Sequence, residues 1–235
     1  SDDDTDIEYM YSFLHDRHQV NKLSAEQIRR GWLKHIYSET DAPLFKKFSD
    51  STPQKDNFLW VSNERARILM EQGMSPPETS DPANNSNSLM IDAQLTTEIF
   101  GLLAPARADI AVEIASLPIR TTAILDAQWI SQFYVAMHAL ASRVDPTLSL
   151  KEQTQWLAEQ ARKQLPEDSS AGKMYAFVKT QYLNNPNKED WESTRDALYQ
   201  RYQLLITDGY TYDQPFDAGI NFAASLVSLF YGEGD

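Results

Sequence analysis

The chain has 235 residues, 34 acidic against 21 basic, for a formal net charge of −13. That balance argues against the basic footprint of a nucleic-acid binder and against docking on an anionic membrane, so neither partner is expected. Cysteine is absent, which excludes disulfides, thiolate metal sites and a cysteine nucleophile and fits a cytoplasmic protein.

Hydrophobic residues make up 42% and charged residues 23%, an ordinary globular composition. No run of about 18 apolar residues is present to span a membrane. The stretch "SDDDTDIEYMY" opens the chain, and from Thr5 to about His18 the apolar residues Ile7, Met10, Tyr11 and Leu14 recur at helical spacing. Ser24-Ala25-Glu26-Gln27 has the form of a capping box and predicts a second helix carrying Ile28, Trp32 and Ile36. Residues 40–55, with Pro43 and Pro53, read as a loop. A third helix is expected from about Asp56 to Gln72, stopping at Gly73.

"GMSPPETSDPANNSNS" follows, a loop too rich in Pro, Ser, Asn and Asp to hold a helix. Met90 to Leu103 and Arg107 to Leu117 predict two short helices around Ala104-Pro105. Thr122 to Arg143 predicts a long helix, apolar over most of its circumference and therefore central. Leu150 to Leu165, Gly172 to Leu183 and Asp190 to Leu205 predict more polar helices. "TDGYTYDQPFDAG" is a turn-rich loop, and Ala218 to Tyr231 is an apolar last helix ending at Gly232. No alternating strand pattern, repeat or linker stands out. The fold class is all-α, a single domain over 1–235 of about nine helices.

The acidic opening admits two readings. Carboxylates are hard ligands suited to Mg²⁺, Mn²⁺ or Ca²⁺, so Asp2, Asp3 and Asp4 at a helix entrance could point at one cation. Alternatively Asp4 simply caps the helix, with Asp2 and Asp3 in water. Asp92 and Gln94 begin a helix beside the long polar loop. They cap it, or form a polar lip where Asn85, Asn87 and Ser88 contact ribose or phosphate. Tyr210 and Tyr212 could stack on an adenine ring or pack their loop onto the bundle. His15 and His18 share a helix face without an HExxH context. His138 reads as a core residue and His35 as a surface or interface one. No P-loop, GxGxxG or GxSxG motif occurs.

"DDDTDIEYMYSFL" resembles the (S/T)-D-D-T segment of the ADP-ribosylglycohydrolase family. "NNSNSLMIDAQLTTEIFGLLAPARADIAVEIASLP" resembles that family's substrate loop and the helices after it, with Met90 on the family Met. "GINFAASLVSLFYGEGD" resembles the helix before the family's second metal motif. The resemblance implies an orthogonal helical bundle, and hydrolysis of a glycosidic bond to ADP-ribose or a related nucleoside-like group. Its substrate would be an ADP-ribosylated protein or a small ADP-ribose-containing molecule. It also implies a divalent metal, Mg²⁺ or Mn²⁺, held by Asp3 and Asp4, which are the catalytic candidates too, with Asp2 third. Asn85, Asn87, Ser88 and Asp92 become the substrate-binding candidates.

The chain departs from the family at Ile91, where an Arg is usual, and at Thr121-Thr122, where the family often has a His after a Thr or Ser. On the family pattern a further helix would precede Ser1 and a second metal motif would follow Asp235. A binuclear site is therefore expected only in a full-length protein, with this chain alone a poor catalyst. The alternative is a non-catalytic protein of the same build that binds a ligand or a partner.

Overall fold

The computed structural model describes residues 3–36, 59–211 and 214–234. Eleven α-helices are found among them, with no strand: α1 (Asp3–His18), α2 (Ala25–His35), α3 (Val61–Glu71), α4 (Asp92–Thr96), α5 (Ile99–Leu103), α6 (Ala108–Ile119), α7 (Leu125–Leu140), α8 (Leu150–Ala161), α9 (Ser170–Asn184), α10 (Trp191–Leu198) and α11 (Ala218–Tyr231). The all-α expectation holds.

α7 is the central helix, with α4, α5, α6, α8, α9 and α11 packed around it. Its sequence explains the position. Ile130, Phe133 and Val135 are fully buried, and Ala127, Ala136 and Ala139 let neighbours approach closely. The closest approach is to α5, where a methyl added to Gly101 would lie 2.5 Å from the Val135 carbonyl oxygen. Phe133 meets Phe222 of α11 edge to face at 5.1 Å between ring centroids, a favoured geometry for buried rings. α1 and α2 interlock at Gly31, whose missing side chain makes room for Leu14. Across that contact, Trp32 Nε1 donates to the Tyr11 hydroxyl at 3.1 Å. Burial pushes the Tyr11 phenol up to about 12.

The capping box forms as predicted, with Gln27 N donating to Ser24 Oγ and Ser24 N to Gln27 Oε1. An identical box at Ser149 and Glu152 opens α8, and α11 spans the residues expected of it. Elsewhere local chemistry cut the predicted helices shorter. The 90–103 segment is two helices, because Thr97 leaves helical geometry and turns its hydroxyl back onto the Ala93 carbonyl at 2.6 Å. The segment expected up to Leu205 is α-helical only to Leu198 and continues as a π-helical turn, Tyr199–Leu204. α3 begins at Val61 rather than near Asp56, and it ends just before Gly73, which adopts φ of 101°. Residues 40–55 and Tyr212 lie outside the described residues.

Two expectations need correcting. The 73–88 loop holds a short 3₁₀ turn, Glu78–Ser80, and buries Thr79, Ser80, Asn85 and Ser88. His138 is exposed rather than core, since its position faces out from α7 and its Nδ1 bonds only to the Tyr134 carbonyl.

An isolated antiparallel bridge joins Met90 to Asp217. Ile91 N donates to the Phe216 carbonyl at 2.8 Å and Ala218 N to the Leu89 carbonyl at 3.0 Å. This pairing ties the long polar loop to the head of α11 and sets Phe216 beside Ile91.

Candidate functional site

α3 begins without a side-chain cap of its own. Its N-cap is Trp60, in extended geometry with no polar side-chain atom placed to accept an amide. The next residue, Val61, sits at φ of 39°, an uncommon conformation for a β-branched residue. The amides that open this helix are served by carboxylates from elsewhere in the chain. Asp3, the first residue of α1, accepts through Oδ2 from Trp60 N at 3.1 Å and from Asn63 Nδ2 at 3.0 Å. Asp92, the first residue of α4, accepts through Oδ1 from Asn63 N at 3.0 Å. Helix starts carry partial positive charge and unpaired N–H groups, which is why two acids can converge there.

A cleft of about 250 Å³ opens above this junction, lined by Asp3, Asp4, Asp92, Trp60, Ile91 and Phe216 among others. Trp60 is 54% exposed and Phe216 37%. Their rings stand 5.9 Å apart at 49° and form an aromatic lip over an acidic floor. Asp92 is buried, 3% exposed. Its carboxyl is pushed up to about 6, chiefly by burial and additionally by the charge of Asp3. The Asn63 amide, the neighbouring Ser62 hydroxyl and its own N–H work against that rise.

Behind the cleft wall, the Ser62 hydroxyl lies against the buried Asp92 carboxyl, and Asn63 Oδ1 is buried without a hydrogen-bond partner. The oxygen donors on the cleft wall itself are the carboxylates of Asp3, Asp4 and Asp92, hard ligands of the kind that suit Mg²⁺ or Mn²⁺. Among the described residues no group of three Asp, Glu, His or Cys side chains stands ready around one point.

The structure brings together Asp3, Asp4 and Asp92 of the sequence candidates; Asp2 lies outside the described residues. Asn85, Asn87 and Ser88 are not on the cleft wall. Asn85 is fully buried, and its amide nitrogen reaches the Ser62 and Thr79 carbonyls while its Oδ1 accepts from Asn87 N. Ser88 is buried, and its carbonyl accepts from Ile124 N. These residues shape the loop that carries Ile91 and Asp92. Tyr210 is buried and donates its hydroxyl to Asp217, so it packs its loop and is closed to stacking. His15 Nδ1 bonds to the Val20 carbonyl, and its ring meets Phe100 edge to face.

Sequence reasoning missed Asn63, Trp60 and Phe216. Asn63 lies 60 residues from Asp3 and 29 from Asp92, and no local motif announces it. The one available signal was a large aromatic followed by Ser-Asn at a helix start, in "WVSNERAR".

No protein-family model, no curated protein and no solved structure matches the chain.

Proposed function

We propose that the cleft serves metal-dependent hydrolysis of a glycosidic bond to ADP-ribose or a related nucleoside-like group. The observation that carries this reading is that Asp3, Asp4 and Asp92 line one cleft together with the Trp60 and Phe216 rings. The resemblance of "DDDTDIEYMY" to the ADP-ribosylglycohydrolase segment supports it. Acidic groups on a sugar-sized cleft suit a reaction in which positive charge develops at the anomeric carbon. A bound Mg²⁺ or Mn²⁺ would add Lewis-acid polarisation and a positioned water.

In this reading Asp3 and Asp4 hold the cation, and Asp92 Oδ2 accepts a ribose hydroxyl. Trp60 and Phe216 cover the ring face and exclude water. Asp92 is suited to that task because its carboxyl lies on the cleft wall beside Ile91 and Phe216, and a buried acceptor gains from a sugar hydroxyl.

The test is release of ADP-ribose from an ADP-ribosylated protein by the chain with Mg²⁺ or Mn²⁺, beside Asp3→Asn. Metal-dependent release that the substitution abolishes supports the reading. No release, together with no binding of ADP-ribose in the presence of metal, refutes it.

A second reading, a non-catalytic helical protein that binds a ligand or partner, is favoured by one observation. Asp3 and Asp92 already do structural work as caps of α3, which the fold needs whether or not chemistry occurs.

A further inference from the structure

We propose that a slot between α10 and α11 binds a small apolar molecule carrying one carboxylate, such as a short fatty acid. The slot runs along the second half of α11, away from the Asp3 and Asp92 cleft, and its occupancy is independent of the hydrolysis proposed there. Its volume is about 410 Å³. Small-molecule sites are of this size, mostly apolar, with a few polar groups that fix the ligand. Trp191 and Arg195 of α10 border the slot, with Ala224, Val227, Ser228 and Tyr231 of α11. Ala224 and Ser228 lie four residues apart on the outer face of α11. Their small side chains leave the space that the larger ones enclose.

The slot is already formed in the fold. Thr194 Oγ1 and the Tyr231 hydroxyl are 2.6 Å apart and tie α10 to α11. Asn185 Nδ2 donates to the same hydroxyl at 3.3 Å. The Tyr231 ring meets Tyr182 edge on, at 5.2 Å and 89°. A ligand entering such a site has little protein to order.

Arg195 is the one charged side chain on the wall among the described residues. Its guanidinium stands 5.0 Å from the centre of the Trp191 ring, a cation–π contact. Nε and Nη2 each meet one oxygen of Asp196 at 2.8 Å, which engages two of the five N–H groups of a guanidinium. The Arg195 and Asp196 side chains are 51% and 70% exposed, and such surface pairs are weak. Arg195 can therefore take a second carboxylate through its remaining donors, in a charge-assisted contact. An apolar wall with a single cation favours an anion with a hydrocarbon body and disfavours an amine of the same shape.

The experiment is calorimetry of the whole chain with octanoate, octanol and octylamine, at about 0.15 M salt to screen the protein's net charge. The expected result is saturable binding of octanoate, at least about tenfold tighter than octylamine. Arg195→Gln should weaken octanoate about tenfold and leave octanol unchanged. Asp196→Asn frees the guanidinium and should strengthen octanoate about twofold. Ala224→Phe adds its ring at an exposed position, so it should fill the slot and abolish both octanoate and octanol binding with the melting temperature unchanged. No octanoate binding, or binding that Ala224→Phe leaves intact, overturns the site. Octylamine bound as tightly as octanoate, or octanoate binding indifferent to Arg195→Gln, overturns the carboxylate as its ligand.

Discussion

Asp3 and Asp92 stand on different helices and cap a third one between them. Asp3 Oδ2 accepts from Trp60 N and Asp92 Oδ1 from Asn63 N, each near 3 Å. An N-cap contact is worth about 1 kcal/mol. Asp3→Ala removes a buried acceptor from two donors and should cost about 1–2 kcal/mol, read as a lower melting temperature in metal-free buffer. Asp6→Ala, on the same turn of α1 but only half-buried, should change stability by less than about 0.5 kcal/mol.

Asp92 gives the protein an acid-favoured stability. Its carboxyl rises from 3.8 to about 6 on folding, so between those values the native form binds more protons than the unfolded chain. Its contribution is therefore best below about pH 4 and is lost as pH rises through 6, by about 3 kcal/mol at the most. Burial also pushes Asp126 and Asp217 upward, in the same sense. Asp92→Asn keeps an acceptor for Asn63 N and removes the buried charge. It should raise the melting temperature near neutral pH and flatten the profile between pH 4 and 6. On the hydrolase reading it should also lose most activity, the expected conflict between stability and a strained site.

The close contacts of α5 and α2 make a paired prediction. A methyl at Gly101 would press on backbone atoms of α7, the Val135 carbonyl and the Ala139 nitrogen, at 2.5 and 2.8 Å. A methyl at Gly31 would meet only the side chain of Leu14. Gly101→Ala should therefore cost about 2 kcal/mol, even after the gain in helix propensity. Gly31→Ala should fall within about 1 kcal/mol of wild type. Denaturant melts of the two variants check the difference.

Tyr210 holds the far wall of the cleft at one remove. Its hydroxyl donates to Asp217, the N-cap of α11, and accepts from Ile220 N at 2.9 Å. Tyr210→Phe leaves that cap short of a donor and should cost about 1–2 kcal/mol. Because Phe216 precedes Asp217, the same change should weaken ADP-ribose binding, whereas Tyr9→Phe, on the exposed side of α1, should leave it untouched.

Trp60 and Phe216 offer a direct probe of the lip. Each ring contributes roughly 0.5–1.5 kcal/mol when it packs on a ligand's flat face. Trp60→Ala should weaken ADP-ribose severalfold with little change in Mn²⁺ affinity. Binding that is insensitive to both rings would move the ligand elsewhere.

Much of the helical framework could be read from spacing and caps alone. The Ile7–Leu14 stripe, the Ser24 box and the uncharged run from Ala218 to Tyr231 each carry their instruction locally. Thr97 escaped notice because its break comes from a hydroxyl turned onto Ala93, a choice a helical pattern does not reveal. The site was half legible. Asp3, Asp4 and Asp92 stand out as acids at helix starts, but what joins Asp3 to Asp92 is Asn63, far from both in the chain. Asn85, Asn87 and Ser88 read as ligand contacts for the same reason that they make turns: Asn and Ser side chains bond readily to nearby backbone. The apolar average of its helix points His138 toward the core, yet it occupies the outer face.

The most direct test is a crystal of the chain soaked in Mn²⁺, with the anomalous signal used to place the ion. The account predicts a peak in the cleft within coordination distance of Asp3 or Asp4, absent from crystals of Asp3→Asn. A fully soaked crystal with no peak there, or with Mn²⁺ only on outlying surface carboxylates, would contradict it and leave Asp3 and Asp92 as caps of α3.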